Sequence, residues 1–337
     1  MDDRSTTEAV ITALDRGETD FLHSLSKLQS WEVAQWGEPS SGKLLQSLES
    51  SSSPHPPWAY LCYYRLGSCV ISGNPDQYYR AKRLVDDYCR ARSERDSQDS
   101  VIGFYDLKAA PRPIWDSALE LLQEGNDFVE DLEPPGPDEM DIWRAQIKSA
   151  LRTIGEADHE LLRLIRKLLV LIILAKPGPR SRVGARTFGG ATCFFFRGAT
   201  VLNASQPVSL IKTVELLVHE YAHAELFVLG QDQPLCLNSD DERHDVLIRK
   251  DPRPMNGIIH SLYVVGRVLD VMQKLLKNAL KPESEHKALL ADILSMIRHQ
   301  ADLGRSSLEV VERHAMLTPL GQRIVAISSL RLNKAEA

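Results

Sequence analysis

Residues 216–226 read LLVHEYAHAEL and constrain this chain more than any other stretch. Within them His219, Glu220 and His223 form HExxH. On a helix, positions four apart lie one above the other on a single face. A helix here therefore sets two imidazoles side by side, at the spacing with which both can grip one metal ion. The flanks predict that helix. Pro207 and Ser209 suit its start and Gly230 suits its end. Val208, Leu210, Ile211, Val214, Leu217, Val218, Ala222, Leu226 and Phe227 supply an apolar face. Packing alone explains poorly a helix that breaks its apolar pattern only at His-Glu-x-x-His, because buried polar groups need partners.

Two histidines do not complete a site, since a catalytic metal usually takes three protein ligands and keeps positions open. The short extension HExxHxxGxxH is absent, because Leu226 and Leu229 stand where it needs Gly and His. Glu242 follows His223 by 242 − 223 = 19 residues, a spacing also found in some zinc aminopeptidases, although here it sits in the acidic context SDDERHD. His260 lies further on, in DPRPMNGIIHSLYVVGRV. Residue types and spacing leave both open. Glu220 bears on the chemistry: in a zinc hydrolase it is the general base that activates metal-bound water, whereas a site that needs no base would use it as a supporting or substrate-contacting group.

The chain has 337 residues, 43% hydrophobic and 26% charged. That is enough to bury a core of one large domain or two ordinary ones. A net charge of −6 argues against a general nucleic-acid binder. The five cysteines (Cys62, Cys69, Cys89, Cys193, Cys236) contain no CxxC pair and point to a reduced, cytoplasmic setting. The opening MDDRSTTEAV is polar and unlike a signal peptide. The most apolar run, residues 161–175, carries Arg163, Arg166 and Lys167 and is too short to span a bilayer. It reads as a buried helix, and no membrane partner is expected.

Hydrophobic periodicity predicts a mostly α protein with a small β element. Helices are expected over 5–30, 58–71, 75–92, 113–129, 140–176, 255–276 and 282–298. A last one is opened by Thr318 as N-cap and Pro319 as first helical residue. Gly73-Asn74 marks a turn, and residues 49–57 and 91–100 read as loops. Residues 183–203, with Gly-Gly, β-branched residues and a Phe triplet, suit two or three short strands. Residues 231–256 read as a long polar loop, of the kind that in a domain usually carries function. EPPGPDE, residues 133–139, is the strongest linker signal. It divides the chain into a helical N-terminal subdomain, 1–135, and a catalytic domain, 136–337, in which the HExxH helix and the helices after it form a mononuclear metal site.

One resemblance is specific. HEYAH at 219–223, followed by Arg249-Lys250-Asp251-Pro252-Arg253-Pro254 and Gly257-Ile258-Ile259-His260, resembles the HExxH-type peptide-modification family of ribosomal-peptide pathways. That family pairs HExxH with a WR-x-DPRP…G-hydrophobic-hydrophobic-H block. The likeness covers roughly residues 137–335, including the late LTPLG, and not the N-terminal third. Ile248 stands where the family carries an aromatic, usually Trp. The resemblance implies an Fe(II)- and 2-oxoglutarate-dependent oxygenase that hydroxylates the β-carbon of a residue in a precursor peptide, with O2 as second cosubstrate. It implies His219, His223 and His260 as metal ligands. Arg253, with Arg249 second, would hold 2-oxoglutarate, since a guanidinium offers a carboxylate two parallel hydrogen bonds. The N-terminal subdomain would then be free to bind the precursor peptide. The rival expectations are a zinc metallopeptidase with Glu220 as base and Glu242 as third ligand, and a non-catalytic peptide-binding scaffold.

Overall fold

Apolar periodicity becomes helix along the first part of the chain, in α1 (Asp3–Trp36), α2 (Ser40–Glu49), α3 (Pro57–Ser72) and α4 (Pro75–Ser93). The computed structural model describes residues 3–37, 39–49, 55–93, 100–125, 131–179, 188–205, 208–231, 233–281 and 285–336. Gly73 makes the expected turn: at φ 64° it closes α3 in the left-handed conformation, its N–H donating to Cys69 O, a common helix ending. The start of α2 is satisfied from outside. The buried Glu32 carboxylate accepts the N–H groups of Ser40 at 3.3 Å and Ser41 at 2.8 Å, which places negative charge at a helix N-terminus.

A small sheet follows. Its strands are β1 (Val101–Gly103), β2 (Leu132–Glu133), β3 (Leu171–Pro177), β4 (Gly190–Ala191) and β5 (Ala199–Asn203). Helices α5 (Arg112–Gly125), α6 (Pro137–Ala157) and α7 (His159–Leu168) stand between them in sequence. β3 is central, parallel to β1 (Val101↔Ile172) and to β5 (Leu171↔Ala199). β4 runs antiparallel to β5, and β2 pairs with the far end of β3 (Leu132↔Pro177). The strand expectation for 183–203 meets β4 and β5 here, with part of its range outside the described residues.

The apolar run 161–175 is not one helix. α7 stops at Leu168 and β3 begins at Leu171. A strand between two parallel neighbours is buried on both faces and reads as continuous apolar sequence, as a buried helix does. The β-branched Val170, Ile172 and Ile173 tip the second half toward strand. The fold class is nonetheless mostly α with a small β element.

The chain packs as two compact units interleaved in sequence: Ile11–Arg144 with Arg166–Pro207, and Met1–Val10 with Ala145–Ile165 and Val208–Ala337. The sheet belongs to the first. Its core joins Phe21, Leu61, Phe104, Trp115, Ile173 and Val201. β1, before EPPGPDE, β2, which ends on its first residue Glu133, and β3, after it, pair in this one sheet.

The other unit holds α8 (Leu210–Leu229), a hairpin of β6 (Arg243–Val246) and β7 (Arg249–Pro254), α9 (Met255–Ala279), α10 (Leu290–His314) and α11 (Pro319–Glu336). The segment 231–256 is therefore not simply a loop. An antiparallel hairpin fills half of it, with His244 opposite Arg253 and a bulge before Val246, which bends the strand locally. Its charged residues hid the alternation that usually betrays a strand. α9 packs against α8, α10 and α11, and its residues from Ile258 to Leu275 are mostly buried. Thr318 caps α11 as expected, accepting from Gly321 N–H at 3.1 Å, the usual service of an N-cap hydroxyl. Gly321 itself permits a close approach, since a Cβ there would sit 1.9 Å from Leu235 O.

One buried ion pair ties α8 to α9. Arg267 Nε donates to Glu225 Oε2 at 2.8 Å, and its second nitrogen reaches Oε1. Tyr221 Oη donates to Glu225 Oε1 at 2.8 Å. Burial alone would raise the Glu225 carboxyl, but the facing Arg267 guanidinium holds it below the usual carboxylate range. All five cysteines are free thiols. Among the described residues, no helix is long and apolar enough to cross a membrane.

Candidate metal centre

α8 begins and ends where its flanks predict. Ser209 accepts from Lys212 N–H at 3.2 Å, and Gly230 N–H closes the last turn on Leu226 O. Most of its residues are buried, among them Glu220, which is 2% exposed. The helical spacing of His219 and His223 then brings their Nε2 atoms to 3.1 Å, with ring centroids 4.9 Å apart. Two imidazole nitrogens each about 2.1 Å from one ion, at an angle of about 90–110°, lie about 3.0–3.4 Å apart. The observed pair fits that separation.

α9 supplies the third ring. β7 ends at Pro254 and α9 begins at Met255, so His260 falls in the second turn of the helix that packs on α8. Its ring centroid lies 4.7 Å from that of His223 and 5.3 Å from that of Phe227. Its Nε2 is buried and makes no hydrogen bond. A buried polar atom without a partner costs about 1–3 kcal/mol, which a ligand to that nitrogen would relieve. The three rings form a row and not yet a cage: among the described residues, no three His, Cys, Asp or Glu side chains converge as a metal-holding group. For all three nitrogens to share one ion, the three rings must draw closer than this arrangement holds them. The donor set suits a divalent transition metal, which accepts imidazole readily.

Burial, and secondarily the neighbouring His219, push the His260 imidazole down from 6.5 to about 4. It is therefore neutral at pH 7, the form that ligates. The same shift has a stability consequence for the metal-free protein. Below pH 6.5 the unfolded chain takes a proton that folded His260 refuses, so stability falls as the pH drops toward 4. At about 1.4 kcal/mol per pH unit the loss approaches about 3 kcal/mol. Denaturant unfolding in the presence of chelator, at pH 7 and at pH 4.5, should show this loss in the wild type and much less of it in His260→Leu. Equal losses in the two proteins would refute the assignment.

Glu242 is occupied elsewhere. Asn238 Nδ2 donates to its Oε2 at 3.1 Å, and its Oε1 lies 3.2 Å from His244 Nε2, although not aligned as a hydrogen bond. His244 stacks on His314 with centroids 4.6 Å apart. Arg253 is half-buried on β7 and its side chain makes no ion pair or hydrogen bond among the described residues. Arg249 lies on β7 by its backbone, but its side chain falls outside the described residues.

Three neighbours were not assigned to the site by sequence. Glu215 Oε1 lies 3.8 Å from His219 Nδ1, Gln300 of α10 reaches Glu215, and Phe227 packs on His260. Glu215 had a signal: Glu215, His219 and His223 follow one another at four-residue steps, which is one helical face. Gln300 had none, since only the tertiary packing brings α10 there. No protein-family model matches the chain, and no curated protein matches its sequence.

Proposed function

We propose that this protein is an Fe(II)/2-oxoglutarate-dependent oxygenase of the HExxH peptide-modification type, hydroxylating the β-carbon of a residue in a ribosomally made precursor peptide. The observation that carries the reading is the pairing of two imidazole nitrogens at 3.1 Å beside a third, buried imidazole nitrogen with no hydrogen bond. His219, His223 and His260 would hold the iron, leaving three of its six positions for small ligands. When bound, iron with 2-oxoglutarate would supply dioxygen activation, coupling the loss of CO2 from 2-oxoglutarate to the entry of one oxygen atom into a C–H bond and of the other into succinate.

The chain's own residues do the rest. Arg253 offers a guanidinium for the far carboxylate of 2-oxoglutarate, and it stands on the strand that runs without a loop into the helix of His260. That junction would keep the cosubstrate residue close in sequence to the third ligand. Arg249 is the second candidate for the same carboxylate. Phe227 beside His260, and the apolar faces of α8 and α9, keep bulk water from the inner side of the site. Glu220, buried and next to His219 in sequence, has a supporting role that requires no proton abstraction from water. The peptidase alternative needs Glu242 as third ligand, and the Asn238 contact and the nearby His244 give it no support.

The test is cosubstrate turnover. Protein loaded anaerobically with iron is mixed with 2-oxoglutarate and air, and succinate is followed with and without candidate precursor peptides. Peptide-stimulated succinate with a gain of one oxygen on the peptide is the expected result. Peptide hydrolysis by the zinc form, lost in Glu220→Gln, with no succinate from the iron form, would replace this reading with the peptidase.

A further inference from the structure

We propose that Glu215 is a positioning residue of the metal centre: its carboxylate, fixed against the outer nitrogen of His219, orients that ring and raises the affinity for a divalent cation, while Lys212 opposes it. The inference rests on the reading of His219, His223 and His260 as ligands.

The two nitrogens of His219 face different partners. Nε2 faces His223 at 3.1 Å, and Nδ1 faces Glu215 Oε1 at 3.8 Å. This is the division of labour of a metal-bound imidazole, whose outer nitrogen commonly meets a carboxylate. At 3.8 Å the contact is too long for a hydrogen bond, and with a neutral ring it is the attraction between a carboxylate and the imidazole dipole. It is nonetheless a fixed one. The Glu215 side chain is only 6% exposed, and it is held by Lys212 Nζ on Oε2 at 2.5 Å and by Gln300 Nε2 on Oε1 at 3.5 Å. Gln300 is itself buried and comes from α10, so the carboxylate is anchored by a second helix.

Charge explains why such a group would matter. Three imidazoles are neutral ligands and leave the whole charge of a divalent ion uncompensated. A buried carboxylate one helical turn away offsets part of it, in surroundings where charges act more strongly than in water. Lys212, at 45% exposure, places its ammonium on the far side of that carboxylate and works against the ion, with screening by solvent.

A purely mechanical role would look different. If Lys212, Glu215 and Gln300 only fasten α8 to α10, removing either charged residue loosens the site in the same direction. If Glu215 acts through charge and orientation, the two removals act in opposite directions. The experiment uses full-length protein, with Zn2+ and Co2+ affinities measured by competition against a chromophoric chelator at pH 8. Thermal midpoints of the metal-free forms are recorded alongside. Glu215→Gln, which keeps shape and a hydrogen-bonding end, should weaken metal binding about 10- to 100-fold with the metal-free midpoint nearly unchanged. Lys212→Met should bind metal as tightly as the wild type or more tightly. Weakened binding and lowered midpoints in both variants would overturn the proposal in favour of a staple, and equal affinities in all three proteins would overturn it outright. A wild type that binds metal but ignores Glu215→Gln sinks this inference alone; a wild type that binds none sinks the metal reading with it.

Discussion

His260→Ala is expected to lower metal affinity by more than about 100-fold, beyond the roughly 10–100-fold cost typical of losing a supporting partner, while Glu242→Ala binds metal like the wild type. His219→Ala or His223→Ala should abolish stoichiometric binding altogether, since each leaves one nitrogen of the 3.1 Å pair. Metal content after dialysis against a known free-metal buffer reads all four variants. The expectation for His260 follows from its buried Nε2 and its place beside His223. The expectation for Glu242 follows from its exposure of 43% and its Asn238 contact, which give it other work. Retained metal in His260→Ala together with lost metal in Glu242→Ala would transfer the third-ligand role and revive the peptidase reading.

The second large effect concerns stability. Arg267→Met should destabilise the unit that carries α8 and α9 by about 3–5 kcal/mol, because removing one member of a buried pair strands the other charge away from water. Glu225 is fully buried and Arg267 nearly so, which places this pair in that category and not among the weak surface bridges. The double variant Glu225→Leu/Arg267→Met should recover much of the loss, since apolar replacements of both partners leave no uncompensated charge. Denaturant unfolding of the two single variants and the double variant closes the cycle. Additive losses would show that the two residues act independently, against the bidentate geometry.

The sequence revealed the centre of this protein better than its periphery. The ends of α8 were legible because caps are local chemistry: Ser209 and Gly230 act within a turn of their own positions. Thr318 and Gly73 were legible for the same reason. Residues 169–174 were not, because a strand buried on both faces and a buried helix share one signature, and the partners that decide between them lie far away in the chain. The hairpin β6–β7 escaped because its residues are charged on both sides. The partnership of Glu215 with His219 was present in the spacing, but Gln300 could be placed only by the packing of α10. His260, the proposed third ligand, was set apart from Glu242 in the sequence by motif likeness and not by periodicity.

The order in which the strands occur has a consequence for how the chain comes into being. Ile172 of β3 pairs with Val101 of β1, far earlier in the sequence, and the polypeptide between them includes Ala145–Ile165, which belongs to the other unit. During synthesis β1 and β2 leave the ribosome with no neighbour to pair with, and they must wait for β3. Contacts this distant close slowly, and unpaired edges held open in the meantime invite association with other chains. The α9–α10–α11 cluster, whose helices follow one another in sequence, carries no such delay. Refolding is thus expected to separate into a fast helical phase and a slower one set by β3, and a nascent chain stalled before residue 171 should be the form most in need of a chaperone.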